Sequence, residues 1–175
     1  MWSQDRYTAA SRFAAIAHNG QHVPGTDLPY LLHVTQVAME TAAALCAEPG
    51  HDEDLAIQCA LLHDTVEDTT VTYEQLDATF GRAVADGVLA LTKDKTLPKD
   101  AQMDDSLRRI QAQPRAVWLV KLADRVVNLQ PPPKHWTAEQ QEAYRAEART
   151  ILAALGEASP LLATRLAQKI EAYGR

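Results

Sequence analysis

The run Ala60-Leu61-Leu62-His63-Asp64-Thr65-Val66-Glu67-Asp68-Thr69 sets an imidazole and three carboxylates directly behind an apolar stretch. That donor set suits a divalent first-row cation that keeps positions open for water and a phosphate, because such ions take imidazole and carboxylate readily. His63 and Asp64 are adjacent, about 100° apart on a helix, so they converge on one ion only near a helix end or with bent side chains. His63 and Glu67 are four apart, as are Asp64 and Asp68, and each pair shares a face if the helix continues. Three acids this close need solvation, protonation or a cation. Asp124 lies inside the apolar stretch Val117 to Val127, where a lone carboxylate is costly unless paired or metal-bound. A salt bridge to Lys121 or Arg125 is its competing explanation. For His33 the plain alternative is a packed, hydrogen-bonded imidazole, and for Glu67 and Asp68 a solvated helix end.

The elements that must position these groups read as helices throughout. Tyr7, Ala10, Phe13, Ala14 and Ile16 recur at three- and four-residue steps from Gln4 to His18, and Asn19-Gly20 stops that helix. Pro29 opens a second to about Ala47, with Val34, Val37, Ala38, Thr41 and Leu45 as its buried stripe and His33 at its edge. A third begins near Asp52 and is apolar on so much of its circumference that it must be central. Thr72 with Gln75 and Thr137 with Gln140 have the spacing of capping boxes, and Gly81, Pro131-Pro132-Pro133 and Gly156 are stops. Helices are also expected at about Asp100 to Ala112, Pro114 to Leu129 and from Pro160 onward. No sustained alternating run of β-branched residues is present, so the expectation is an all-α, single-domain fold of about eight or nine helices spanning residues 1–175.

Composition bounds the function. The net charge of −6 argues against a nucleic-acid polymer or a membrane surface as partner, since both need a basic face. Yet Lys93 to Arg125 holds eight Lys/Arg against five Asp/Glu, with nine against eighteen elsewhere, so a compact polyanion could be attracted there. Cys46 and Cys59 have no cysteine at ligand spacing and are expected to be small core residues. Met1 to Arg6 lacks a signal-peptide layout and no apolar run is long enough to span a bilayer, which predicts a cytoplasmic protein. Nothing in the sequence specifies an oligomeric state.

The order His33, His63-Asp64, Asp124 resembles the HD-domain metal-dependent phosphohydrolases. Four blocks narrow the resemblance: Pro29-Tyr30-Leu31-Leu32-His33, Ala60 to Thr69, Thr92-Lys93-Asp94-Lys95-Thr96-Leu97-Pro98-Lys99, and Val120-Lys121-Leu122-Ala123-Asp124-Arg125-Val126-Val127-Asn128-Leu129. Together they resemble the hydrolase domain of RelA/SpoT-type alarmone enzymes, and most the stand-alone small alarmone hydrolases. The resemblance implies that His33, His63, Asp64 and Asp124 bind one Mn²⁺ and that Glu67 and Asp68 position and deprotonate the attacking water. It further implies that Asn128 and Tyr144 contact the nucleotide. Lys95 and Lys99 are candidates for the pyrophosphate, with a solvated basic connector as their plain alternative. The implied reaction hydrolyses the 3′-pyrophosphate of guanosine tetra- or pentaphosphate. The alternatives are an HD phosphohydrolase for a related nucleotide, such as an adenosine alarmone or a phosphorylated dinucleotide cofactor, and a nucleotide-sensing HD domain without turnover. One segment departs from the family: His18-Asn19-Gly20-Gln21 continues as His22-Val23-Pro24-Gly25, where adjacent basic residues are expected.

Overall fold

Polar caps divide the chain into helices in the computed structural model, which describes residues 1–174. Ser3 caps α1 (Gln4–Ala17) by accepting from the Arg6 amide, and Asp52 caps α3 (Glu53–Leu62) by accepting from the Leu55 amide. Between them runs α2 (Leu31–Ala47), and α3 leads into a single turn, α4 (Thr65–Asp68). Both expected capping boxes form, Thr72 with Gln75 opening α5 (Tyr73–Phe80) and Thr137 with Gln140 opening α9 (Ala138–Leu155). The remaining helices are α6 (Arg82–Leu91), α7 (Lys99–Gln111), α8 (Arg115–Asn128) and α10 (Pro160–Ala172), the last preceded by a 3-10 turn at Gly156–Ala158. Among the described residues nine helices have eight residues or more, and the only extended pairing is an isolated bridge between His22 and Pro29. No described helix is long and apolar enough to cross a membrane.

The third helix is central, as its composition demands. Every residue of α3 from Leu55 to Leu62 is buried, and α3 packs against α1, α2, α6 and α8. Helix α8 is buried from Ala116 to Val127 save for Trp118, which is half-buried, so its polar residues Lys121, Asp124 and Arg125 sit within the protein. Gly87 on α6 permits a close approach of helices, because a β-carbon there would lie 2.7 Å from Cys59 Sγ and 3.1 Å from Val117 Cγ2. Two expectations fail at the surface. Ile16 is 69% exposed although it follows the stripe of α1, whose inward positions are the small Ala10 and Ala14. Cys46 is exposed near the end of α2, one residue beyond the buried Leu45 and on the solvent side of the helix, whereas Cys59 is buried.

Candidate active site

The helix that carries His63 ends there. Leu62 closes α3, His63 is its C-terminal cap, and the chain restarts at Thr65. The break lets two adjacent side chains converge, as a continuous helix would not. The Nε2 atom of His63 lies 3.0 Å from Asp64 Oδ2, and its Nδ1 donates to the Ala60 carbonyl (2.9 Å). Because a carbonyl only accepts, that bond places the proton of a neutral His63 on Nδ1 and turns the bare Nε2 inward.

His33, in the first turn of α2, meets it from the opposite side with the two Nε2 atoms 3.4 Å apart. The same His33 atom is 3.5 Å from Asp64 Oδ2 and 3.4 Å from Asp124 Oδ1, and Asp124 Oδ1 is 3.8 Å from His63 Nε2. His33, His63 and Asp64 each offer a ligand atom within 4.8 Å of the others. These residues fit a divalent cation: two imidazole nitrogens and two carboxylates converge in a buried site, and without an ion the acids are answered by the imidazoles themselves. Burial pushes the His33 pKa down, but hydrogen bonds and charge from Asp124 and Asp64 overcome it and raise it to about 9. His63 is raised for the same reason, against a similar burial penalty, and mainly by Asp64. Burial also opposes the ionisation of Asp64 and Asp124, yet cations hold both carboxyls below their usual range. His63 acts mainly on Asp64 and Lys121 mainly on Asp124.

Each carboxylate has a further partner. The Tyr30 hydroxyl donates to Asp64 Oδ2 (2.5 Å), the Asn128 amide donates to Asp124 Oδ1 (2.5 Å), and the Lys121 ammonium approaches Asp124 Oδ2 at 3.5 Å. Tyr30 also stacks between His18 and His33, at ring separations of 4.8 and 5.2 Å.

A cavity of about 170 Å³ opens beside the cluster, lined by His63, Asp64, Asp124, Glu67, Tyr30 and Leu91 on one side. Its remaining wall is Lys93, Lys121, Arg125, Asn128, Tyr144 and Glu147. Of the acids on α4, Glu67 faces the cavity and Asp68 is exposed outside it. Glu67 Oε2 accepts from the Lys93 amide (2.9 Å). Burial first, then Asp64 and Glu67, raise the Asp68 pKa. Lys95 reaches back to this turn, its ammonium donating to the Glu67 carbonyl (3.2 Å) and lying 3.6 and 3.7 Å from the Glu67 and Asp68 carboxylates. Lys99 is an exposed residue at the start of α7. Neither lysine lines the cavity; Lys93 does. Tyr144 lies under the Arg125 guanidinium, 4.5 Å from ring centre to Cζ, and Arg125, only 3% exposed, pairs with Glu147 at 2.8 Å. His22 is exposed and lies outside the cavity.

An HD-domain profile matches residues 10–162, most of the chain. The chain belongs to the HD-domain family. Within it, the zebrafish (Danio rerio) guanosine-3′,5′-bis(diphosphate) 3′-pyrophosphohydrolase MESH1 is 34% identical over 162 residues, covering 89% of this chain and 87% of its own. The mouse (Mus musculus) protein of the same name is 32% identical over 170 residues, covering 94% and 93%. A solved structure described as a metazoan ortholog of SpoT that hydrolyzes ppGpp superposes with a TM-score of 0.84 at 27% identity, covering 98% of this chain and 97% of its own. The HD-domain order His33, His63-Asp64, Asp124 is thus gathered from three helices into one buried cluster. Tyr30, Lys93, Lys121, Arg125 and Glu147 also border the site; of these the sequence offered only Lys121 and Arg125, as salt-bridge partners of Asp124, and the structure gives that place to Lys121 while Arg125 pairs with Glu147. Periodicity carried a signal for three: Tyr30 is one turn before His33, Lys121 shares a face of α8 with Asp124 and Asn128, and Glu147 is one turn beyond Tyr144.

Proposed function

We propose that this chain is a Mn²⁺-dependent hydrolase of the 3′-pyrophosphate of guanosine tetra- and pentaphosphate, releasing GDP or GTP and pyrophosphate. The observation that carries the proposal is the meeting of His33 and His63 Nε2 atoms 3.4 Å apart against Asp64 and Asp124, with Glu67 on the wall of the adjoining cavity. His33, His63, Asp64 and Asp124 would hold the metal, which when bound supplies Lewis-acid polarisation of a phosphoryl oxygen and lowers the pKa of water.

The rest of the chemistry falls to side chains. Water adds to the phosphorus attached to the ribose 3′-oxygen, the phosphorus–oxygen bond to the ribose breaks, and the 3′-oxygen leaves to take up a proton. Glu67, oriented by the Lys93 amide, accepts the proton of the attacking water, and Asp68 follows it on the same turn. A raised carboxyl pKa at Asp68 brings that group nearer to neutral pH, where a general base works best. Lys93 and Lys121 on the cavity wall offset the charge of the leaving pyrophosphate. The cavity of about 170 Å³ is below the roughly 300 Å³ at which whole ligands are usually enclosed. It therefore takes the pyrophosphate end, and the nucleoside lies along the rim at Asn128 and Tyr144. Lys95 and Lys99, outside the cavity, are then left to attract the substrate from the connector.

A second reading, an adenine nucleotide or a phosphorylated dinucleotide cofactor as substrate, draws on the loop His22 to Gly25. That loop carries no Lys or Arg, and His22 is exposed. The test is product analysis of the purified protein with Mn²⁺ and guanosine 3′-pyrophosphates, adenosine 3′-pyrophosphates, NADPH and GTP in parallel. Pyrophosphate released from the guanosine compounds is expected. Release only from the adenine compounds would overturn the base assignment, and turnover of none by metal-loaded protein would overturn the hydrolase.

A further inference from the structure

The two acids that handle water ride on α4, a single turn of four residues, which is too short to hold its own shape. Something outside it must fix its main chain. The structure shows two anchors, and only one comes from the N-terminal side: the Gln21 side-chain amide donates to the Asp68 carbonyl at 2.6 Å. Gln21 is itself held, because its Oε1 atom is 2.7 Å from His18 Nδ1. The direction of the relay is fixed by chemistry. The Asp68 carbonyl can only accept, so the amide nitrogen of Gln21 faces it, the amide oxygen faces His18, and His18 must donate from Nδ1.

His18 is 3% exposed, its Nε2 atom has no partner, and its ring packs on Tyr30 at 4.8 Å. A buried imidazole with one nitrogen unanswered is a costly placement. The bond to Gln21 is the one it makes. Tyr30, on the far side of that stack, donates to Asp64. One loop between α1 and α2 therefore touches both halves of the site, Asp64 through Tyr30 and the α4 main chain through Gln21.

We propose that Gln21 is a positioning residue for the water-handling turn: by holding the Asp68 carbonyl it sets where the Glu67 and Asp68 carboxylates stand relative to the cavity. Its side chain bonds only His18 and the Asp68 carbonyl, and its one link to the cavity wall is the main-chain bond from the Tyr30 amide to its own carbonyl (2.9 Å), which a side-chain substitution leaves in place, so the side chain acts on rate and not on metal or substrate binding. The other anchor is Lys95, whose ammonium donates to the neighbouring Glu67 carbonyl. The turn is thus clamped at consecutive carbonyls by residues of two different loops, α1–α2 and α6–α7. This inference rests on the hydrolase reading for its effect on rate, but its structural half does not.

The test compares Gln21→Met, which keeps the length and loses the donor, with Gln21→Glu, which keeps the shape and sets a carboxylate against a carbonyl. Gln21 is half-buried, so folding is expected to survive in both variants, and melting temperature checks it. The expected result is a fall in kcat of about tenfold to a hundredfold, of the order that follows small misplacement of a reacting group, with Gln21→Glu the worse. KM and the Mn²⁺ dissociation constant should stay within about twofold of wild type, since ligands and cavity wall are untouched. Independently of substrate, hydrogen exchange at the Asp68 and Thr69 amides, which bond to the Asp64 and Thr65 carbonyls, should quicken about tenfold on loss of one anchoring bond. Unchanged kcat in both variants beside an active wild type would overturn the positioning role alone. Unchanged exchange would overturn the clamp whatever the substrate. A wild type that hydrolyses nothing would sink the hydrolase reading, while the exchange measurement would still decide the clamp.

Discussion

Removing one oxygen atom, in Tyr30→Phe, isolates a contact on which the metal site should depend. The Tyr30 hydroxyl donates to Asp64 Oδ2 at 2.5 Å, and both imidazole Nε2 atoms face that same oxygen, at 3.0 and 3.5 Å. Phenylalanine keeps the ring that stacks on His18 and His33, so the packing is conserved and only the donor is lost. Burial first, then Asp64, raise the phenol pKa, so the hydroxyl stays a neutral donor across the working range. A hydrogen bond to an ionised acceptor contributes about 1.5–3 kcal/mol. Loss of an outer partner of a ligating residue typically weakens metal binding about 10- to 100-fold. The two figures agree, since about 1.4 kcal/mol is tenfold. Titration calorimetry with Mn²⁺ should therefore give a dissociation constant about 10- to 100-fold weaker for Tyr30→Phe. Affinity within about twofold of wild type would mean that Asp64 is oriented without the phenol. Tighter binding would mean that the hydroxyl competes with the ion for Oδ2, and either result refutes the reasoning.

Asp64→Ala should abolish both Mn²⁺ binding and turnover, whereas Glu67→Ala should leave Mn²⁺ binding within about threefold and lose rate about 100-fold or more; equal metal loss in both, by calorimetry, would make Glu67 a ligand. The His33 pKa is raised from 6.5 to about 9, so its contribution to stability is fully present below pH 6.5 and is lost as pH rises through about 9. Melting of the chelated protein should therefore fall across that window, and Mn²⁺ affinity should rise across it, because a ligating imidazole must first shed its proton; a flat affinity would show that His33 does not ligate. Gly87→Ala places a β-carbon against Cys59 and Val117 and should destabilise by about 1–3 kcal/mol, lowering the melting temperature by about 3–10 °C in calorimetry.

Much of the fold was legible because its signals are local. Both capping boxes, the Asp52 cap and the stops at Gly81 and Pro131 concern groups a few residues apart, and the buried stripe of α2 follows from a 3.6-residue period. Ile16 was misjudged because periodicity tells which residues share a face, not how deep that face lies, whereas Cys46 was placed in the core by residue type alone although it stands one position off the buried stripe of α2. The small Ala10 and Ala14 bring α1 close to its neighbours and leave Ile16 at the margin. The roles of the basic connector were equally hidden. Lys93, Lys95 and Lys99 are alike in sequence, but one lines the cavity, one returns to the α4 turn and one faces solvent, and only the path of the loop between α6 and α7 separates them.

The break between Leu62 and Thr65 is where sequence and site meet most closely. In an unbroken helix His63 and Glu67 would share one face while Asp64 and Asp68 shared another, and His63 and Asp64 would not face one point. Ending α3 at Leu62 turns Asp64 back toward His63, so adjacent residues face one point at 3.0 Å. The next turn is then displaced as a unit, carrying Glu67 to the cavity wall and leaving Asp68 exposed outside it. Thr65 stabilises the break by donating to the Leu62 carbonyl at 2.7 Å, a bond that answers one of the carbonyls left open at the end of α3. The short α4 turn that results lacks the length to hold itself, which is why Gln21 and Lys95 clamp its carbonyls. The same interruption that brings His63 and Asp64 together thus creates the need for the clamp, and loss of the clamp should show first in rate and last in metal affinity.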